Sequence, residues 1–207
     1  MTRNASQRWF AWLMQKGEKV NRKLYHTYRK DLLSKVHGRV VEIGPGTGIN
    51  FNYLPSGIEW IGVEPNEAFH PVLREQAARN HITIRLLTGD AQHMPVDDQS
   101  ADHVISTLVL CSVPDQEASI KEIYRILKPG GKLIVLEHVA APQHSFLRFV
   151  QNTLNPVNKA LADGCNCNRD TASVIKSAGF RDTSLISVMV DGTLPWHRPH
   201  IVGYATK

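Results

Sequence analysis

Cysteine is scarce, with three in 207 residues. That is an odd number, too sparse for the disulfide framework of a secreted scaffold. A reducing, cytoplasmic compartment is therefore the expected setting. No apolar run approaches the ~18 residues of a membrane-spanning helix. Near the start, Trp9, Phe10, Trp12, Leu13 and Met14 are cut short by Gln15 and Lys16. That leaves neither the apolar stretch nor the small-residue cleavage site of a signal peptide. There is no internal repeat and no low-complexity tract. Acid is short in one place only. Residues 1–39 hold ten Lys/Arg and two Asp/Glu, a net of +8, and the remaining residues hold 14 and 17, a net of −3. A chain basic in one arm alone is not one that coats nucleic acid, so no nucleic-acid partner is expected.

What is there suits one globular domain with a sizeable core, since 42% of residues are hydrophobic and 21% charged. Residues 5–36 read as one or two helices. Phe10, Leu13, Met14, Val20, Leu24, Tyr28 and Leu32 recur at helical spacing, and Gly17 is the candidate break. Short apolar runs then begin: Val40–Ile43, Trp60–Val63, Ile82–Leu87, His103–Leu110, Lys132–Leu136, Thr183–Val190 and Ile201–Ala205. Helical segments separate most of them, at Glu67–Asn80, Gln116–Leu127, His144–Leu161 and Arg169–Ala178. Strands alternating with helices predict an α/β fold with a mostly parallel seven-stranded sheet covered on both faces. The last two runs share only a loop, 191–199, which predicts an antiparallel hairpin. The expected division is an N-terminal helical arm over 1–38 and the α/β domain over 39–207.

Val40-Val41-Glu42-Ile43-Gly44-Pro45-Gly46-Thr47-Gly48 is a strand entering a glycine-rich turn. Glycine there lets backbone approach a ligand. A dinucleotide fingerprint would place its third glycine at 49, where this chain has Ile49, and the Lys-Ser/Thr of a P-loop is missing. Glu64 ends the second strand, where an acid can accept both ribose hydroxyls. Asp90 in Gly89-Asp90-Ala91 follows the third strand, where an acid can accept from an adenine amino group. Thr107 and Leu108 end the fourth strand at the same sheet edge. Read singly, Glu64 is a solvated strand end and Asp90 a turn former. Their order and spacing together make a nucleoside site.

These motifs, with the run Ile123 to His138 through Lys128-Pro129-Gly130-Gly131, resemble class I S-adenosylmethionine-dependent methyltransferases. The resemblance implies a Rossmann-like seven-stranded sheet and S-adenosyl-L-methionine as cofactor. It places Glu42, Gly44, Pro45 and Gly46 around the methionine part, Glu64 with Pro65 and Asn66 at the ribose, and Asp90 with Ala91 at the adenine. Residues 106–113, 136–142, 162–171 and 198–205 are similar to the methyltransferase-like alkyl-thiol S-methyltransferases. That narrower likeness implies transfer to a small, apolar thiol acceptor. The alternatives are a C- or N-methyltransferase acting on a quinone precursor or phospholipid, and a non-catalytic cofactor-binding scaffold.

Methyl transfer from a sulfonium asks mainly for alignment and exclusion of water. If a base exists, His138 after the fifth strand is the first candidate, because imidazole titrates near working pH. Its other reading is a bond to a loop carbonyl. Asp163 is the second, with a turn role before Gly164 as its other reading. Trp196, His197 and His200 in the last loop are candidates to line the acceptor site, and Trp196 alternatively packs the hairpin. Cys165 and Cys167 lack a nearby second pair, so no metal is expected. Cys111 reads as a core residue, and no Cys–His pairing suggests a nucleophilic cysteine. The arm reads as a lid formed by residues 20–35, with Tyr25 and Tyr28 toward the cofactor's carboxylate. Its aromatic front also allows peripheral contact with an anionic membrane. A monomer or weak homo-oligomer is expected.

Overall fold

The computed structural model describes residues 3–207. The strands are β1 (Arg39–Ile43), β2 (Glu59–Val63), β3 (Ile84–Leu87), β4 (Ala101–Thr107), β5 (Leu127–His138), β6 (Asp182–Met189) and β7 (Pro199–Thr206). The helices are α1 (Arg3–Leu33), α2 (His70–Arg79), α3 (Gln116–Ile126), α4 (Phe146–Leu161) and α5 (Thr171–Ser177). One seven-stranded sheet runs β3-β2-β1-β4-β5-β7-β6. The first five strands pair in parallel, and β7 lies antiparallel between β5 and β6. This is the expected mostly parallel sheet with its terminal hairpin.

Period-two alternation divides the core between the two faces. Val41, Val104 and Val135 meet Ile120, Ile123 and Ile126 of α3 on one side. Val40, Ile105 and Ile134 meet Leu33, Phe51, Trp60 and Leu73 on the other. The helices start where acceptors wait for orphan amides. Asp115 Oδ1 accepts from Ala118 N–H at 3.0 Å, Ser145 Oγ from Arg148 N–H at 3.1 Å, and Asp170 Oδ1 from Ser173 N–H at 3.2 Å. Strand order reverses between β1 and β4, which opens a crevice beyond their carboxyl ends.

Several boundaries differ from the sequence reading. Helix α1 runs unbroken through Gly17. An internal glycine costs about 1 kcal/mol against alanine, and tertiary contacts on both sides outweigh that. Phe10 meets Phe69 edge-on at 6.2 Å, and Tyr25, Arg29 and Leu33 are buried beyond the glycine. The buried stripe is therefore Tyr25-Arg29-Leu33, one position on from the predicted Leu24-Tyr28-Leu32, and Val20 is 62% exposed. Strand β3 starts at Ile84 because His81 turns left-handed and Ile82 N–H bonds back to Ala77. The predicted helix 67–80 divides into a 3-10 turn, Glu67–Phe69, and α2. Strand β5 is longer than predicted and includes the Lys-Pro-Gly-Gly turn.

The largest difference is at β4. The run predicted as strand to Leu110 stops at Thr107, and Leu108 turns to φ +60°. The cause is Glu137, fully buried at the end of β5. Its carboxylate accepts from Ser106 Oγ at 2.6 Å, Val109 N–H at 3.0 Å and Leu110 N–H at 3.2 Å. Burial pushes the Glu137 carboxyl up, and these donors oppose the shift. Each buried donor left without an acceptor costs about 1–3 kcal/mol. Urea denaturation of Glu137→Ala should therefore show a loss of about 3 kcal/mol or more. An unchanged midpoint would mean that the loop holds its shape without this carboxylate.

Candidate active site

A cavity of about 670 Å³ lies at the carboxyl ends of β1, β2 and β4. Small-molecule sites usually span about 300–1,000 Å³. Its floor is the Gly44–Thr47 turn and the loop Thr107–Val109, and its cover is the front of α1, including Phe10, Leu13 and Met14. Gly44 has φ +53°, and a Cβ there would sit 2.9 Å from Val109. The close approach of the two loops thus requires glycine. Most of the α1 residues over the cavity lie between Phe10 and Asn21, ahead of the predicted 20–35, from which only Asn21 and Arg29 border it. Asn66 Nδ2 fastens it by donating to the carbonyl of Gln7 at 3.1 Å.

Glu64, Pro65, Asn66, Asp90, Ala91, Thr107 and Leu108 all meet this cavity, as do Gly44, Pro45 and Gly46. Glu64 is buried, and its two oxygens accept from Gly46 N–H at 3.0 Å and Asn66 N–H at 2.9 Å. These bonds orient the carboxylate and leave further lone pairs for hydroxyl donors. Burial raises its pKa, and the two backbone donors oppose that. Asp90 Oδ1 accepts from Gln92 N–H at 2.9 Å and His93 N–H at 3.0 Å, which leaves Oδ2 for a ligand.

Glu42 is placed differently. It lies beneath the cavity, where Asn50 Nδ2 donates to it at 2.8 Å and Trp60 Nε1 at 3.0 Å. Burial pushes its carboxyl up to about 7. Asn50 Oδ1 in turn accepts from Arg29 Nε at 2.8 Å. Arg29 is 2% exposed and borders the cavity. Burial lowers its pKa, with Tyr53 and Glu42 opposing. It is thus a buried cation at the site, and the sequence reading missed it. The signal available was an arginine in phase with Tyr25 and Leu33.

Of the predicted acid–base groups, Asp163 borders the cavity, in a left-handed turn with φ +47°, and burial raises its carboxyl. His138 does not border it. Its Nε2 lies 3.1 Å from Cys165 Sγ in a buried cluster, so it faces no ligand in the cavity. Tyr25 also turns away. Its hydroxyl bonds His200 Nε2 at 3.0 Å, and its ring lies 5.3 Å from the Arg29 guanidinium. It therefore supports the cation and does not itself meet the carboxylate. Trp196 and His197 form a 3-10 turn, and His197 stacks on His138 at 4.8 Å. Neither they nor His200, which lies on β7 opposite His138 of β5, border the cavity. The cysteine readings change too. Cys165 has a histidine partner, and its neighbouring thiol is Cys111, not Cys167.

S-adenosylmethionine asks for ribose and adenine acceptors, a counter-charge for its carboxylate, and backbone free of Cβ at the amino-acid end. Glu64, Asp90, Arg29 and the Gly44–Gly46 turn fit that demand. A methyltransferase domain model matches residues 41–135. Human thiol S-methyltransferase TMT1A is 32% identical over 213 residues, covering 97% of this chain and 87% of that protein. Demethylmenaquinone methyltransferase of Thermus thermophilus is 29% identical over 117 residues, covering 55% of this chain and 53% of that protein. A solved S-adenosylmethionine-dependent methyltransferase of Thermotoga maritima has a TM-score of 0.61 at 24% identity, covering 94% of this chain and 98% of that one. The chain belongs to the thiol S-methyltransferase family and is an S-adenosylmethionine-dependent methyltransferase.

Proposed function

We propose that this methyltransferase acts on a small apolar thiol and that the cavity described above holds both cofactor and acceptor. The observation that carries the reading is the near full-length similarity to human thiol S-methyltransferase. The similarity to a demethylmenaquinone methyltransferase supports the quinone-precursor alternative, but it extends over 55% of the chain.

When bound, the cofactor supplies a methyl group already activated on a sulfonium sulfur. The residues of the chain bind, orient and exclude water. Glu64 takes the ribose hydroxyls, Asp90 the adenine amino group and Arg29 the carboxylate, with Glu42 and Asn50 holding Arg29 in place. Phe10, Leu13, Met14 and Val113 give the acceptor apolar walls. A thiol with pKa ~8.5 is a few per cent thiolate at neutral pH and strongly nucleophilic. A modest base is therefore enough, and we assign that role to Asp163, whose position at the cavity supports it. The outward side of the lid has a second role. Trp9 is 48% and Trp12 55% exposed beside a basic helix face, a pattern that suits adsorption to an anionic bilayer. No described helix is long and apolar enough to cross a membrane.

Three measurements check this. Charged hydrogen bonds contribute about 1.5–3 kcal/mol, so calorimetry should show Arg29→Met and Asp90→Ala each raising the cofactor Kd about tenfold or more. An unchanged Kd would remove that residue from the site. With labelled cofactor and a panel of apolar thiols, a quinol precursor and phosphatidylethanolamine, label should appear on thiol. Label on lipid or quinol alone would overturn the reading. In that assay Asp163→Asn should lower kcat about tenfold to a hundredfold at neutral pH. The deficit should shrink as pH rises to the thiol pKa, whereas a pH-independent loss would exclude a base. Finally, Trp9→Ala with Trp12→Ala should reduce co-sedimentation with phosphatidylserine vesicles, and equal sedimentation would reject the membrane role.

A further inference from the structure

Cys111, His138 and Cys165 come from the loop after β4, the last residue of β5 and the loop after α4. All three are buried, and their ligand atoms lie within 4.8 Å of one another. His138 Nε2 is 3.1 Å from Cys165 Sγ. His197 stacks on His138 at 4.8 Å between ring centroids. The Cys111 thiol and burial push the Cys165 thiol up, and the imidazoles of His138 and His197 oppose them. None of the four side chains borders the cofactor cavity, so methyl transfer makes no use of them.

Two further observations bear on the cluster. His138 is 6% exposed and turns its Nε2 to Cys165, and the buried Nε2 of His197, whose ring stacks on it, has no hydrogen-bond partner among the described residues. Buried polar atoms without partners are uncommon and usually mark an ion or water. The nearby His200 is no part of the set, because Tyr25 and the carbonyl of Arg198 occupy both of its nitrogens. The backbone is also already clamped. Asn166 N–H and Nδ2 both donate to the carbonyl of Cys111, at 2.9 and 3.1 Å, holding the two thiol-bearing loops side by side.

We propose that Cys111, Cys165 and His138 hold a zinc ion, whose fourth position is open to a non-protein ligand. Two thiolates and one imidazole with an open fourth position are an established zinc donor set. Soft sulfur with imidazole excludes magnesium and calcium, which take oxygen. Binding replaces the thiol protons, which pass to solvent, so affinity falls with acid. The Cys-x-Cys pattern of the sequence is not the site. Cys167 Sγ instead faces the carbonyl of Gln151 at 3.5 Å and Asn155 Oδ1 at 3.6 Å. Ser112, next to Cys111, and Asp163, two residues before Cys165, both border the cavity. The ion therefore fastens two cavity walls to the end of β5.

The test is cobalt titration of the untagged full chain after chelation. The wild type and Cys167→Ala should each take up one cobalt ion, with the visible bands of tetrahedral coordination and thiolate charge-transfer absorption, and zinc should displace it. Cys111→Ser and Cys165→Ser should each lose about half of the charge-transfer absorption, and the double variant all of it. Absence of these bands in the wild type, or their undiminished survival in Cys165→Ser, would overturn the site. Zinc-edge X-ray absorption on the wild type needs no variant. A mixed sulfur and nitrogen shell supports the proposal, and a shell of oxygen and nitrogen alone rejects it.

Discussion

The Glu137 carboxylate is the contact on which both functional regions rest. A carboxylate without exposure must collect donors or neutralise. It collects them from Ser106 and from the amides of Val109 and Leu110. Taking those amides ends β4 and sends the chain away from the sheet. Leu108 and Val109 then face the cofactor cavity, while Cys111 turns into the buried cluster with His138 and Cys165. One buried charge thus separates a ligand-facing wall from a thiol-bearing one within four residues.

A second buried network lies under the cavity beside the Gly44–Thr47 turn. Arg29, Asn50, Glu42 and Trp60 are connected in series, and Asn50 also donates to Thr107 at 2.9 Å. Helix α1, β1, β2 and β4 therefore meet in one set of hydrogen bonds. A buried arginine without partners would be prohibitive. Here Asn50 and the carbonyl of Asn21 take two of its donors, and its remaining guanidinium donors are left for an anion. The basic arm is consequently not a separate appendage. Its inner face completes the site, and its surplus positive charge lies on the outer one.

The residues expected at the nucleoside were legible as a group because strand ends bring them together. Gly44, Glu64, Asp90 and Thr107 each follow a parallel strand, so strand order alone brings them to one edge. The acceptor side was not. His138, His197 and His200 look like active-site groups in the sequence, but the end of β5, the turn before β7 and β7 itself hold them in contact with one another, and none borders the cavity. The arm was misread by one position. Gly17 hides the phase of the stripe, and an arginine among apolar residues does not register as buried until Asn50 is seen to meet it.

Hydrophobic periodicity and glycine placement by themselves determined a parallel α/β sheet with a ligand edge, because both act within a few residues of one another. Family resemblance in the motifs named the cofactor. The tertiary structure decided which side chains share a space. Arg29 joined the cavity and His138 left it, and Cys165 met Cys111 instead of Cys167. Those outcomes depend on contacts between segments tens of residues apart, which local pattern does not encode.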